Sequence, residues 1–167
     1  MELEKRFKNL ITIIIPRHVH RAKEIKKEIE NKKFKVVLHS TKPSNLKDVK
    51  FYIVDTFGET KKFHKLASSV FLGGSIIRRG GQNPLEAARL GAKILHGPNI
   101  DNFSDVYKLL KSLKVSKKIK TSSELATSIK FKKNKNIGTK IKNIGKKILK
   151  KTINELDDII SNETKKT

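Results

Sequence analysis

The sequence predicts an α/β fold in which a parallel sheet carries helices on both faces. Short apolar runs that look like buried strands alternate with longer amphipathic segments that look like helices, and one such pair recurs about every 20 residues. Strands that alternate with helices in this way form parallel sheets. The 167 residues are enough for one domain with a real core.

The elements follow in order along the chain. Strands are predicted at the apolar runs 10–15, 34–40, 51–56, 69–75, 92–98 and 115–120. Helices are predicted at the amphipathic segments 19–31, 58–69, 84–91, 103–113 and 122–131. Pro16 ends the first strand, Gly91 closes the third helix, and Ser122 carries an N-cap signature for the fifth.

Beyond residue 130 the composition changes. Residues 130–151 contain ten lysines and no acid, and isoleucines continue at roughly helical spacing, although Gly145 weakens the middle. The pattern predicts one or two amphipathic helices, either covering the edge of the sheet or touching an anionic lipid surface. Residues 1–9 are assigned as a linker, residues 10–130 as the α/β domain, and residues 131–167 as a basic helical tail.

The charge leaves three interpretations open. The net charge is +23, but lysine outnumbers arginine by 33 to six, whereas proteins that read nucleic acid favour arginine. The lysines therefore reflect a codon bias on solvated faces, attraction to an anionic membrane, or, least favoured, nucleic acid. The chain has no cysteine, signal peptide or spanning apolar run, which predicts a cytoplasmic protein, soluble or peripheral at a membrane.

The stretch "GGSIIRRGGQNPLE", residues 73–86, carries the clearest chemical signal. It holds four of the nine glycines and two adjacent arginines, and then Asn83 and Pro84 form a typical helix start. Bare glycine amides, arginines and a helix N-terminus suit an anion, and Glu86 in the first turn suits a sugar diol. The spacing matches neither a dinucleotide fingerprint nor a Walker A motif.

Other constellations are weak. No metal-binding pattern is visible, and the histidines look packed or exposed, so we expect no metal and no cofactor. Asp55 and Glu59 follow the third strand, where we expect them to cap the next helix. Because ligands bind at the carboxyl ends of parallel strands, the four loops after strands one, three, four and five predict one site.

Three blocks, "IIIPRH", "DTFGE" and "FLGGSIIRRGGQNPLEAARLGAKILHGPNIDNF", together resemble the C-terminal half of the Kdo transferases. These are glycosyltransferases of family 30 and of the GT-B fold, and they move 3-deoxy-D-manno-octulosonic acid (Kdo) from CMP-Kdo to a lipid A precursor in Gram-negative bacteria. The resemblance covers residues 11–131. It implies a Rossmann-like, CMP-sugar-binding domain that acts at the inner membrane in lipopolysaccharide biosynthesis.

The resemblance also assigns roles to residues. It implies CMP binding by the positions that match the motifs: Pro16, Arg17, Phe57, Gly58, Gly73, Gly74, Ser75, Asn83 and Glu86. Further phosphate or cleft contacts are implied for His18, Arg78, Arg79, Gln82, Asn102 and Phe103. Gln82, Val19 and Val54 depart from the family pattern, and Gln82 stands where a histidine is usual, so it cannot carry a proton.

The family's acceptor-binding domain, which supplies the catalytic carboxylate, is not expected in this sequence, and no residue here is assigned as a catalytic base. Three hypotheses follow: the donor half of a Kdo transferase that works with a separately encoded acceptor domain, a non-catalytic nucleotide-binding remnant, or a basic protein that binds nucleic acid or a membrane surface. The first predicts CMP binding, and the last predicts steeply salt-dependent binding without CMP affinity.

Overall fold

The computed structural model of the chain describes Leu3, Arg6, Phe7 and residues 9–164. Two compact units emerge from the contacts: one holds Met1–Ala67 and Lys120–Ile129, and the other holds Ser68–Ile119 and Lys130–Thr167. Most of the predicted linker, residues 1–9, lies outside the described residues. The predicted boundaries at residues 10 and 130 stay a prediction.

The first unit is built on a three-stranded parallel sheet. Its strands are β1 (Thr12–Ile14), β2 (Val36–Leu38) and β3 (Phe51–Ile53), in the order β1-β3-β2. In the register, Tyr52 lies beside Ile13 on one side and Val37 on the other. Two helices connect strands, α1 (Ala22–Asn31) and α2 (Thr60–Leu66), and a 3-10 turn at Val19–Arg21 precedes α1.

The core of the first unit lies between α1 and this sheet. Ala22, Val36 and Ile53 are buried, and Ile25 and Ile29 of α1 pack against them. These two isoleucines and Ala22 recur every three or four residues, which places them on one helix face. The predicted helix is therefore confirmed, with its first turn wound as 3-10 rather than α.

The second unit contains a second three-stranded parallel sheet. Its strands are β4 (Ser69–Leu72), β5 (Lys93–His96) and β6 (Ser116–Lys118), in the order β4-β5-β6. The connecting helices are α3 (Leu85–Arg89) and α4 (Ser104–Ser112). The central strand is the most buried, since Ile94 and Leu95 are almost fully covered. Ile94 belongs to the same core cluster as Tyr107 and Leu110 of α4.

The α/β class with parallel strands is confirmed, but the pairing gives two three-stranded sheets where the sequence predicts one sheet. The strands are also shorter than predicted, at three or four residues each. The residues at the ends of the apolar runs, such as Gly73 and Gly74, belong to loops because their chain turns away from the ladder.

Helix α5 (Ser122–Ser128) begins one residue earlier than its predicted cap implies. The N-cap is Thr121, whose hydroxyl accepts a hydrogen bond from the Glu124 amide at 3.1 Å. The Glu124 carboxylate accepts in return from the Lys120 amide at 2.7 Å. This pairing differs from a capping box in that the Glu124 carboxylate reaches the amide of the residue before the cap. The assignment of the cap to Ser122 is wrong, because Thr121 has the extended backbone of a cap and its side chain makes the capping hydrogen bond.

One helix, α6 (Lys135–Thr164), forms the tail. Its start is fastened to α3, since the Asn134 amide donates to Gly91 O and a Cβ on Gly138 would lie 2.7 Å from Arg89 O. Glycine at position 138 thus lets the two helices approach closely. Ile141 completes the contact and is buried in the core of the second unit, whereas every residue from 146 to 161 is exposed.

We expect Ile141→Ala to lower the free energy of unfolding by roughly 2–4 kcal/mol, because it leaves a cavity where α6 enters the core. The measurement is urea denaturation followed by circular dichroism at micromolar protein. Ile148→Ala on the exposed part of the same helix is the matched control and should change stability by less than about 0.5 kcal/mol. Equal losses for the two variants would contradict this account of α6.

Candidate functional site

The predicted site residues divide between the two units. Five belong to the first unit, and they are Pro16, Arg17, His18, Phe57 and Gly58. Ten belong to the second unit, and they are Gly73, Gly74, Ser75, Arg78, Arg79, Gln82, Asn83, Glu86, Asn102 and Phe103. In both units the residues follow carboxyl ends of neighbouring parallel strands or the first turns beyond them.

In the first unit, the loops after β1 and β3 leave the same edge of the sheet. Pro16 is half-buried, while the side chains of Arg17 and His18 are exposed to solvent. The Val54 amide donates to Ile14 O at 2.9 Å, which extends the ladder and keeps the two loops side by side. An exposed arginine at the end of a parallel strand can meet an anion without first breaking an internal ion pair.

Asp55 fixes the start of the loop after β3. Its carboxylate accepts from the Ser40 amide at 2.8 Å and from the Ser40 hydroxyl at 2.5 Å. Burial acts to raise the pKa of Asp55, but the hydrogen bonds from Ser40 outweigh it, and the pKa lies below its ordinary value. The prediction that Asp55 caps the next helix is wrong, because its oxygens hold the loop after β2 instead.

Glu59 occupies the N-cap position of α2, but its side chain makes no capping hydrogen bond. It pairs with Lys62 at 2.9 Å, so its predicted capping role is wrong as well. The carboxylate is drawn to the ammonium group one turn ahead, which is a common alternative on a helix surface.

The tip of the loop after β3 presents an aromatic side chain to solvent. Phe57 is 83% exposed. Gly58 beside it has a backbone φ of +80°, which residues other than glycine rarely adopt. The Thr56 hydroxyl is buried with no hydrogen-bond partner among the described residues. An exposed flat ring is suited to stacking on a nucleobase.

In the second unit, Ser75 joins the loop after β4 to the loop after β5. Its hydroxyl donates to Leu72 O at 2.6 Å and accepts from the Gly97 amide at 2.8 Å. Ser75 is completely buried, and a Cβ on Gly97 would lie 2.4 Å from Ser75 O. The side chain of Ser75 thus serves the fold, and it positions the glycine-rich loop rather than reaching outward.

Asn99 is a second fastening of the same loop, and the sequence patterns did not single it out. Its amide N–H donates to Ser75 O at 2.9 Å, and its side-chain Nδ2 donates to Ser75 O at 3.2 Å and Ile76 O at 3.1 Å. One asparagine therefore ties down two consecutive carbonyls. An asparagine in a loop has no distinctive spacing, so only the three-dimensional pairing reveals this role.

The far side of the glycine-rich loop is held at Gly80 and Gly81. Both have positive φ, and the Asn102 amide donates to Gly80 O at 3.3 Å. A Cβ on Gly80 would lie 2.3 Å from the Asn102 side chain. Asn102, for which the resemblance implies a phosphate or cleft contact, therefore packs directly on Gly80, because glycine has no side chain to keep it away.

The middle of the loop is open. An added Cβ at Gly73 or Gly74 would meet nothing within 4 Å, and the side chains of Arg78 and Arg79 are exposed. Gly74 needs glycine for its φ of +75°, but Gly73 has no positive φ. Neither conformation nor packing within the described residues requires glycine at position 73, as expected where a ligand approaches the backbone closely.

The helix start at residues 83–86 lies one residue later than predicted, because α3 begins at Leu85 and its N-cap position is Pro84. Asn83 Oδ1 accepts from the Leu85 amide at 2.9 Å, and Pro84 has helical dihedral angles ahead of α3. Glu86 lies exposed in the first turn. Because α3 has only five residues, few peptide dipoles add up, and the glycines and arginines are the stronger anion-binding elements.

A buried pair of tilted rings packs against this region. His96 and Tyr107 lie with ring centroids 4.5 Å apart, and the Tyr107 hydroxyl donates to Gln82 O at 3.1 Å. Burial raises the pKa of Tyr107 to about 12 and lowers that of His96. Gln82 is therefore positioned through its backbone. Among the described residues, no three His, Asp or Glu side chains cluster as metal ligands do.

Comparison with known proteins finds homologues of this chain. No family model matches the sequence. The 3-deoxy-D-manno-octulosonic acid transferase of Rickettsia typhi is 35% identical over 144 residues, and that of Rickettsia bellii is 32% identical over 148 residues. The chain is homologous to the Kdo transferases. The alignments cover 84% and 89% of this chain but only 30% and 35% of those enzymes, so the chain spans about a third of the relatives that it matches.

The fold agrees with a solved Kdo-related structure. The C-terminal CMP-Kdo binding domain of WaaA from Acinetobacter baumannii superposes with a TM-score of 0.69 and 23% identity, over 74% of this chain and 65% of that domain. The resemblance of the sequence to the C-terminal part of the Kdo transferases and its expected fold are thereby confirmed. Among the described residues of the present chain, no helix is both long enough and apolar enough to cross a membrane.

Removing the Asn99 side chain should loosen the glycine-rich loop. We expect Asn99→Ala to speed cleavage after Arg78 and Arg79 by an arginine-specific protease roughly tenfold, because Ile76 O loses its donor, Ser75 O keeps only the backbone amide of residue 99, and local opening becomes easier. The chain contains only six arginines, so the fragments are simple to assign by mass. Asn143→Ala on exposed α6 is the matched control. Unchanged cleavage in Asn99→Ala would contradict the fastening role.

Proposed function

We propose that this chain binds CMP-Kdo as the donor half of a Kdo transferase. The observation that carries the proposal is the sequence similarity to Kdo transferases over more than four fifths of the chain. The likeness of the fold to a CMP-Kdo binding domain supports it. The alternatives, a non-catalytic remnant and a basic nucleic-acid-binding protein, have no comparable support.

The chemistry of the described loops supports a nucleotide donor. In the proposal, the loops of the second unit hold the ribose and the phosphate: Glu86 accepts hydrogen bonds from the ribose hydroxyls, and the CMP phosphate approaches the open backbone at Gly73. Arg78 and Arg79 supply positive charge to that phosphate, and they stabilise it as it leaves the sugar. The first unit offers an exposed cation at Arg17 and, at Phe57, an exposed ring of the kind that stacks on a nucleobase.

The transfer itself needs groups that we do not assign to this chain. An inverting sugar transfer requires a base that takes the proton of the acceptor hydroxyl. Asp55 is already engaged by Ser40, and Glu59 is paired with Lys62, so neither is placed as that base. We propose that an acceptor domain outside these 167 residues supplies the base and the lipid site, and that these residues alone transfer no sugar.

We also propose that lysines of residues 130–151 draw the chain to the cytoplasmic face of the inner membrane. Their ammonium groups are largely exposed, so the attraction to anionic lipid is electrostatic and weakens as salt rises. Vesicle sedimentation at low and high salt tests this part by itself. Binding that does not change with salt would contradict it.

Calorimetry with CMP tests the donor site. We expect weak binding, and a titration that shows no binding at millimolar CMP would overturn the proposed function. Glu86→Ala should weaken the binding of CMP about tenfold, because the two ribose hydroxyls lose a charged acceptor. The same variant should leave 2′,3′-dideoxy-CMP unaffected. Equal losses for the two ligands would remove Glu86 from the ribose site.

Gly73→Ala tests the open backbone. The variant should keep the stability of the protein, because the added methyl group meets no other atom and φ needs no change. It should nevertheless weaken CMP by about tenfold or more, since the methyl group occupies the space of the phosphate. The contrast is Gly97→Ala, which should destabilise the fold itself. Full CMP affinity in Gly73→Ala would place the phosphate elsewhere.

A further inference from the structure

The second half of α6 carries an apolar surface that nothing in its own unit covers. Residues 146–161 are exposed on all sides. Six large apolar side chains in this segment are 47–61% exposed, and they are Ile148, Leu149, Ile153, Leu156, Ile159 and Ile160. We call the five that share one face of the helix, Leu149, Ile153, Leu156, Ile159 and Ile160, the apolar stripe. A helix that leaves such a stripe in water is marginal, so a partner is expected there.

The spacing of the stripe fits another helix. Leu149, Ile153, Leu156 and Ile160 are separated by four, three and four residues, the spacing of a heptad repeat. In that repeat the leucines take the d positions and the isoleucines take the a positions. Ile159, at the g position, widens the same face, whereas Ile148, at the c position, lies on the outer side of the helix. The surface can therefore receive the knobs of a facing helix.

The charges beside the stripe change sign along the helix. Lysines occur at positions 146, 147, 150 and 151, and acidic residues follow at positions 155, 157 and 158. Lys150 and Asp157 both fall at the e position, which flanks the seam between paired helices. They are seven residues apart on one helix, too far to pair with each other.

We propose that a second copy of this chain binds on the apolar stripe with its α6 antiparallel to the first. When Ile153 faces Leu156 of the other copy, Lys150 faces Asp157 of that copy, and the reverse pair forms at the other end. A parallel pair would instead place the lysine-rich halves side by side. Charge complementarity thus selects the antiparallel arrangement.

The association is weak and depends on screening. Sixteen residues of helix extend about 24 Å, which gives an interface at the small end of specific contacts. The net charge of +23 opposes self-association, but near 0.15 M salt the Debye length is about 8 Å, so distant lysines count little. Residues 146–161 contain four lysines and three acidic residues, so the net charge of this segment is close to zero.

The inference does not depend on the donor site, and sedimentation equilibrium of the full chain tests it. We expect the average mass to rise from 19.0 kDa towards twice that value between about 10 µM and about 1 mM protein at 0.15 M salt. A mass of 19.0 kDa throughout the range would overturn the proposal.

A charge swap tests the antiparallel register. Asp157→Lys should weaken association at least about tenfold, because each copy then brings a lysine against Lys150. The double variant Lys150→Asp with Asp157→Lys should restore it. Asp158→Lys, which makes the same change in net charge at a position facing away from the stripe, is the matched control. Failure of the double variant to recover, or an equal loss in the control, would overturn the register.

The apolar stripe is tested separately. Leu156→Asp should abolish association while the circular dichroism of the helices is retained. Vesicles of phosphatidylglycerol provide the competing outcome: a chain that stays monomeric, yet loses vesicle binding in Leu156→Asp, would show that the stripe meets lipid and would overturn the proposal.

Discussion

The hydroxyl of Ser75 is the interaction on which the candidate site in the second unit depends. It links Leu72 at the end of β4 to Gly97 just beyond β5, and it is sealed from water. Two neighbouring parallel strands end at one edge, but nothing in that topology orders the loops beyond them. The Ser75–Gly97 pair does so, because a buried hydroxyl that lost either partner would leave an unsatisfied polar group. Asn99 and Asn102 then fix the rest of the glycine-rich loop against a backbone that is already placed.

Much of the fold could be predicted from the sequence, because buried strands and amphipathic helices each leave a local pattern. The parallel direction of the strands and the positions of most helices follow from that alternation. The division into two sheets does not, since strand pairing depends on contacts between distant segments that no local period records. The cap of α5 was misplaced for a related reason: threonine and two serines stand in a row at residues 121–123, and only the backbone angles select Thr121.

The candidate site was predictable to the extent that motifs expose backbone. Three features of the site are visible in the sequence itself: the glycines, the arginines and the Asn-Pro helix start. Residues that position the loop do not, because a hydrogen bond between Asn99 and two carbonyls leaves no spacing in the sequence. Asp55 illustrates the opposite error: a carboxylate before a helix looks like a cap, yet the Ser40 hydroxyl and amide are better donors for it. The sequence shows which donors a carboxylate could bind, but only the three-dimensional geometry decides which of them it does bind.

The glycines of the second unit show how geometry separates structure from function. Gly80, Gly81 and Gly91 have left-handed backbone angles, and Gly97 and Gly138 lie against other backbone atoms, so the fold requires each of them. Gly74 is required by its angle alone. Gly73 satisfies neither condition, because its angle suits any residue and the space beside it is empty. Folding thus gives no reason for a glycine at position 73, in a loop that is otherwise held closely. In the proposed function, the backbone at this position is open so that the phosphate of the ligand can approach it.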